Sequence, residues 1–266
     1  MTYQGTFPIM VVSAVLALLA SQATYKDVSF DGSLFAKFVE NRVGEGKPVY
    51  WYCFGEMYTY PEGKLVAKVE GIDTARLVRE KSTPTSALQL SRKVFFYKDP
   101  VSGAVLDSYE GRPVTHIEYP YQRIQYTLSK QKLVATVTQG KAPRIQTVSA
   151  EMARARVVGS RTVFSIPLFV SVETPRGKIE AYENYDFIVG KGERVLSWNR
   201  FGDLPPAFGT GKCVIQLVAE RVDSFSKLPS AFQTTLRQRA PLWELPPADE
   251  AEIQRLQQAD PSVPKG

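Results

Sequence analysis

The sequence predicts a mainly β protein, built as an antiparallel β-barrel or strongly curved sheet with short helices near its two ends. Three observations carry that prediction. Runs rich in Val, Ile, Thr, Tyr and Phe recur along the chain, among them Lys47–Tyr60, Leu88–Tyr97 and Thr162–Thr174, and such residues favour a pleated, half-buried surface. Short turn signals separate them at hairpin spacing: Pro61-Glu62-Gly63-Lys64, Asp99-Pro100-Val101-Ser102-Gly103 and Thr174-Pro175-Arg176-Gly177. Helical periodicity is confined to Ser33–Val43 and Leu228–Arg239. One β-rich domain over residues 24–247 follows, because a chain of this length buries roughly three-quarters of its unfolded surface without staples.

Phe7–Ala20 is continuously apolar, too short to cross a hydrocarbon core of roughly 30 Å as a helix. Ser21-Gln22-Ala23 then supplies the small-x-small pattern of a cleavage site. Residues 1–23 therefore read as a signal peptide, which implies a periplasmic or secreted protein. No Lys or Arg precedes the apolar run, so the rival reading, a hydrophobic helix docked on a cytoplasmic domain, stays open. Ser33–Val43 sets Leu34, Phe35, Phe38 and Val39 at helical spacing, with Ser33 as the expected cap. Lys47–Tyr60 is expected to pair with Leu65–Ile72 through a turn in which proline fixes φ and glycine permits positive φ. Leu88–Tyr97 is expected to pair with a returning strand, Ala104–Tyr109. Val114–Tyr126 follows, limited at Pro120, which cannot donate to a ladder. Strand-like runs within Lys132–Val172, then Lys178–Val189, Arg194–Phe201 and Val214–Glu220, complete the sheet. From Pro241 the chain turns rich in proline and charge, and residues 248–266 read as a polar tail that wraps the surface or is disordered.

The inventory excludes more chemistry than it suggests. The net charge is +6, and Tyr119–Val172 holds eight Lys or Arg against the single acid Glu151. No groove-entering helix or binding fingerprint accompanies that excess, so no nucleic-acid partner is expected. His116 is the one histidine, and Cys53 and Cys213 are the two cysteines. Zinc spacing, a phosphate loop, a dinucleotide fingerprint and a Gly-x-Ser-x-Gly elbow are all missing from the sequence, so no metal and no cofactor are expected. The cysteines could pair or remain buried thiols; spacing does not choose. No stable membrane span is expected, and a homo-oligomer is open.

Candidate site residues come from the aromatic runs. Period two sends Tyr50, Tyr52, Phe54, Tyr58 and Tyr60 to one face, with Glu56 among them. An apolar wall with few polar groups is the usual small-molecule pocket; the plainer alternative leaves Glu56 at a sheet edge in water. His116 is the natural general acid or base, and Glu118 would share its face. In Tyr182-Glu183-Asn184-Tyr185-Asp186, Glu183 and Tyr185 share one face and Tyr182, Asn184 and Asp186 the other. The catalytic candidates are His116, Glu56, Glu118 and Tyr185. The binding candidates are Tyr50, Trp51, Tyr52, Arg92, Tyr121, Tyr182, Trp198 and Arg200. The arginines suit a carboxylate or phenolate, or else an ion pair across the sheet, and the aromatics line either a pocket or the core.

Six short segments, Lys47-Pro48-Val49-Tyr50-Trp51, Tyr97–Asp107, Val114-Thr115-His116, Ile166-Pro167-Leu168-Phe169, Ser197–Gly202 and Phe225–Pro229, occur in the order and spacing of one family. Over roughly residues 30–247 the chain resembles the bacterial and fungal domain-of-unknown-function family DUF1838. The resemblance implies that export signals are common among relatives, but it supplies no reaction. Where relatives tend to carry Asn-Asp-Pro after the histidine, this chain has Glu118-Tyr119-Pro120. The expected function is therefore argued from side chains: a cofactor-independent acid/base enzyme, a lyase or isomerase working by elimination, retro-aldol-type cleavage or isomerisation of an aromatic or hydrophobic small molecule. The alternatives are a carrier that binds an apolar molecule unchanged and a barrel with a filled interior.

Overall fold

The computed structural model describes residues 25–141, 144–152, 154–174 and 177–258. The apolar run at 7–20, read above as an export signal, lies outside the described residues. Among those described, no helix is long and apolar enough to cross a membrane.

The described residues open with a short strand, β1 (Tyr25–Ser29), and a helix, α1 (Gly32–Val43). The helix is capped by Asp31, whose Oδ1 accepts the Leu34 N–H at 2.8 Å. Ser33, expected as the cap, lies inside the first turn, because the carboxylate two residues earlier reaches the free N–H groups first. Four long strands follow: β2 (Val49–Tyr60), β3 (Leu65–Thr83), β4 (Ser86–Lys98) and, after a loop, β7 (Ile117–Ser129). The β2–β3 turn is the expected one, with Gly63 at φ +69°.

The expected return of β4 along Ala104–Tyr109 forms only at its start, where Asp99 N–H donates to the Ala104 carbonyl at 2.8 Å and Leu106 N–H to the Tyr97 carbonyl at 2.9 Å. Asp99 Oδ1 closes the turn by gathering the N–H groups of Val101 and Ser102 at 3.0 and 2.7 Å, but the ladder ends within two residues. What remains is one bridge, Lys98 to Val105, and a tiny pair, β5 (Ser108–Tyr109) with β6 (Arg112–Pro113). The strand that pairs with β4 is β7.

The remaining strands are β8 (Lys132–Lys141), β9 (Arg144–Met152), β10 (Arg154–Val158), β11 (Arg161–Thr174), β12 (Gly177–Val189), β13 (Arg194–Asp203) and β14 (Lys212–Val222). Among the described residues, twelve strands form one antiparallel sheet in the order β1-β10-β11-β12-β13-β14-β2-β3-β4-β7-β8-β9. The sheet curls into a half-barrel, and β9, at one end of the order, comes back against β11 near the other. Gly55 and Gly71 face the inside of the curl. A Cβ on Gly55 would lie 1.9 Å from the Gln216 carbonyl oxygen, so only glycine allows β2 and β14 to close up there.

Helix α1 lies in the hollow. Phe35, Phe38, Val39 and Val43 repeat at helical spacing and are buried. The Phe38 ring meets Tyr126, Phe164 and Phe187 edge-on at 5.1, 5.4 and 5.7 Å, which ties β7, β11 and β12 to one side chain. Trp51 is fully buried beside it, donating Nε1–H to the Arg42 carbonyl at 2.9 Å. This half of the interior is solid, as the filled-barrel alternative expects.

The convex face is partly covered by the C-terminal chain. Helix α2 (Ser230–Arg239) buries Phe232 and Leu236 on Tyr50, Ile72, Val94 and Phe96. Trp243 follows and donates Nε1–H to the carbonyls of Lys93 (2.8 Å) and Tyr119 (3.1 Å), where the β4–β7 register slips. Residues 250–258, inside the stretch read as a tail, form a further helix, α3 (Glu250–Gln258). Its Ile253 packs on Leu88, Leu90 and Tyr121, Glu250 pairs with Arg123 at 2.7 Å, and Glu252 pairs with Arg92. A charged composition reads as unable to bury a face; here one isoleucine and two carboxylates, met by cations from the sheet, suffice.

Candidate site on the concave face

Away from α1 the hollow is lined by polar and aromatic side chains. On β12 and β13 two cross-strand pairs sit side by side on the inner face, Glu183 opposite Arg200 and Tyr185 opposite Trp198. Directly opposed residues are the closest neighbours a sheet offers. Tyr185 donates its hydroxyl to Glu183 Oε2 at 2.5 Å, and Trp198 Nε1–H reaches the same oxygen at 3.1 Å. Arg200 Nε lies 3.7 Å from the other oxygen, Oε1. The Glu183 and Arg200 side chains keep 17 % and 18 % of their exposure, so water or a ligand reaches the pair.

The opposite wall comes from β4 and β7. Phe95 stacks on Trp198 across the hollow, ring centres 5.9 Å apart and planes 10° apart. Gly71 makes room for it, since a Cβ there would fall 2.1 Å from the Phe95 ring. Lys93 sets its ammonium 5.5 Å from the centre of the Tyr185 ring, and Tyr119 stands opposite Lys93 in the β4–β7 ladder. Burial raises the Tyr185 phenol well above its ordinary pKa, and Glu183 raises it further; burial does the same to Tyr119. Both are neutral hydrogen-bond donors at physiological pH. Burial also raises Cys53 and Cys213, which are free thiols. Neither is an activated nucleophile.

Three sequence-derived candidates, Tyr185, Trp198 and Arg200, thus meet at one place. The others do not join them. His116 lies outside the hollow, where its Nδ1 accepts the Tyr97 N–H at 3.2 Å and its ring packs edge-on against Phe96. Burial and the neighbouring Arg239 lower its pKa, so the ring is a neutral acceptor that holds backbone. Glu118 is exposed beyond it. The aromatic face of β2 is the one predicted, but it points outward. Tyr50 and Tyr52 lie under α2, Tyr52 donates to Glu70, and Glu56 accepts from Tyr58. Glu56 lines an open groove of about 670 Å³ on the convex face with Phe54, Lys68, Glu70 and Lys98.

Trp51 is core. Arg92, 3 % exposed, is spent on the carbonyls of Pro120 (2.9 Å) and Leu245 (2.6 Å) and on Glu252. Tyr121 is buried under α3, and Tyr182 lies on the convex face against Phe169, ring centres 5.1 Å apart. The residues missed were Glu183 as the centre of the cluster, Lys93, Tyr119 and Phe95. The signal for Glu183 was present, because it shares Tyr185's face. For β4 there was none: both faces of Ala87–Tyr97 are almost wholly buried, so alternation does not say whether Arg92 or Lys93 looks inward.

Among the described residues, no group of three or more His, Cys, Asp or Glu stands close enough to hold a metal ion. Neither a curated protein nor a solved structure matches the chain. A protein-family match does cover residues 46–257, and on it the chain belongs to the DUF1838 family, proteins of unknown function.

Proposed function

We propose that the protein is a cofactor-independent acid/base enzyme, a lyase or isomerase that acts on an aromatic or hydrophobic small molecule bound in the concave face. The observation that supports this reading is the Glu183 carboxylate, fixed by Tyr185, Trp198 and Arg200 while still open to solvent. A proton acceptor held in one place by its neighbours, beside an apolar wall, is the arrangement proton abstraction needs. Tyr185 carries the proton. Its O–H points at Glu183, which leaves the oxygen lone pairs free to take a proton from a substrate carbon as the phenolic proton passes to Oε2. The carboxylate ends protonated and the substrate carries the electron pair, ready for elimination, carbon–carbon cleavage or reprotonation elsewhere. Arg200 and Tyr119 lie close enough to the pair to stabilise the charge that develops.

The competing reading is a carrier. It is favoured by the aromatic surroundings of the cluster, Tyr185, Trp198 and Phe95, which need no chemistry to hold an apolar molecule nearby. One experiment separates them: a metabolite-library thermal-shift screen, then mass spectrometry of each hit after incubation with wild type, Glu183→Gln and Tyr185→Phe. Conversion by wild type alone supports the enzyme. Hits that bind and come back unchanged from all three proteins leave the carrier.

A further inference from the structure

Among the described strand residues around Tyr185, the ionised side chains of the concave face are paired except Lys93. Arg42 and Asp73 lie 2.7 Å apart and are both buried; Arg200 faces Glu183 across the β12–β13 ladder. Lys93 stands opposite Asp73 in the β3–β4 ladder, yet its ammonium makes a salt bridge with no carboxylate among the described residues and lies over Tyr185 instead. Asp73 is already taken by Arg42. Arg221 is likewise paired, with Asp223, so among these described residues Lys93 is the cation left over. A half-buried ammonium held only by a ring face is poorly compensated for the water it has lost. An anion arriving in the hollow would complete it.

We propose that the ligand of this face carries a carboxylate, bound by Lys93 Nζ, with its hydrophobic body beside the Tyr185 ring. This rests on the reading of the concave cluster as a ligand site and names the class of molecule it takes.

The test uses the full chain and matched probes that differ only in charge: 2-naphthoate against 2-naphthamide, and cinnamate against cinnamamide, by titration calorimetry. Each acid is expected to bind at least ten-fold more tightly than its amide, about 1.4 kcal/mol. Lys93→Met should erase the preference and leave amide affinity within about two-fold, and Lys93→Arg should keep it. Equal binding of acid and amide by wild type, a preference that survives Lys93→Met, or failure of every acid to bind would overturn the proposal. Circular dichroism of each variant checks that the fold is intact, and Lys93→Gln, shorter and polar, should repeat the loss. An acid preference that depends on Lys93, without turnover, removes the enzyme reading and leaves this one standing. Turnover of neutral substrates without an acid preference does the reverse.

Discussion

A tyrosine hydroxyl 2.5 Å from a carboxylate that an indole N–H also reaches has the geometry that the proposed proton path needs. If that path is used, Tyr185→Phe and Glu183→Gln should each lower kcat by about 10²- to 10⁴-fold, the usual worth of a positioned acid or base. KM should move far less, because neither change removes apolar wall. His116 makes the opposite prediction. Its folded pKa lies below the ordinary value of about 6.5, so between the two values the unfolded chain holds more protons than the native one. Stability from this residue is therefore complete above about pH 6.5 and is lost as the pH falls through that value toward the folded pKa. Urea melts from pH 7.5 to 5 should show the decline. His116→Asn, which keeps an acceptor near the Tyr97 N–H, should flatten it. Activity at pH 7.5 should be unchanged, since the ring does not face the hollow. Of the residues the sequence offered, Tyr185, Trp198 and Arg200 were legible because β12 and β13 keep strict alternation through the site. Glu56 and His116 were chosen for what their side chains can do, and a side chain's chemistry carries no information about which side of a sheet it takes.

Among the elements, the C-terminal run from Pro241 through α3 decides how the convex face is closed. Arg92 is the fastener: it bonds Pro120 and Leu245 and pairs with Glu252, all from a position 3 % exposed. Arg92→Met keeps bulk and removes the donors, leaving two carbonyls and a carboxylate unsatisfied. A cost of about 1 to 3 kcal/mol is expected, together with faster proteolysis within residues 245–258, read by limited digestion and mass spectrometry. The strands, their antiparallel order along β11 to β14 and both expected helices were readable from alternation and turn residues. Three features were not. The length of β3 was hidden because its second half is polar and exposed. The β4–β7 pairing is not a tight hairpin, since the chain leaves β4 after the Lys98–Val105 bridge and returns to it only from Ile117, a jump that no periodicity reports. Helix α3 is held by contacts with residues more than a hundred positions away, which local composition cannot foresee.

At the scale of the whole molecule, the described residues form a curled sheet filled from inside by α1 and covered in part on the outside by α2, Trp243 and α3. Phe38 alone joins α1 to three strands, and Phe38→Ala should cost about 3 to 5 kcal/mol, seen as a lower urea midpoint with an unchanged slope if unfolding stays two-state. The placement of α1 also sets an order in time. The helix is synthesised before any of its partners, and two of the rings against Phe38, Phe164 and Phe187, emerge only after most of the sheet has been made. The strip formed by Ile72, Val94 and Phe96 waits longer still, for Phe232 and Trp243. A ribosome-bound chain halted short of α2 would hold that strip bare, and such uncovered apolar surface is what chaperones grip; this face is thus completed only after Trp243 has emerged.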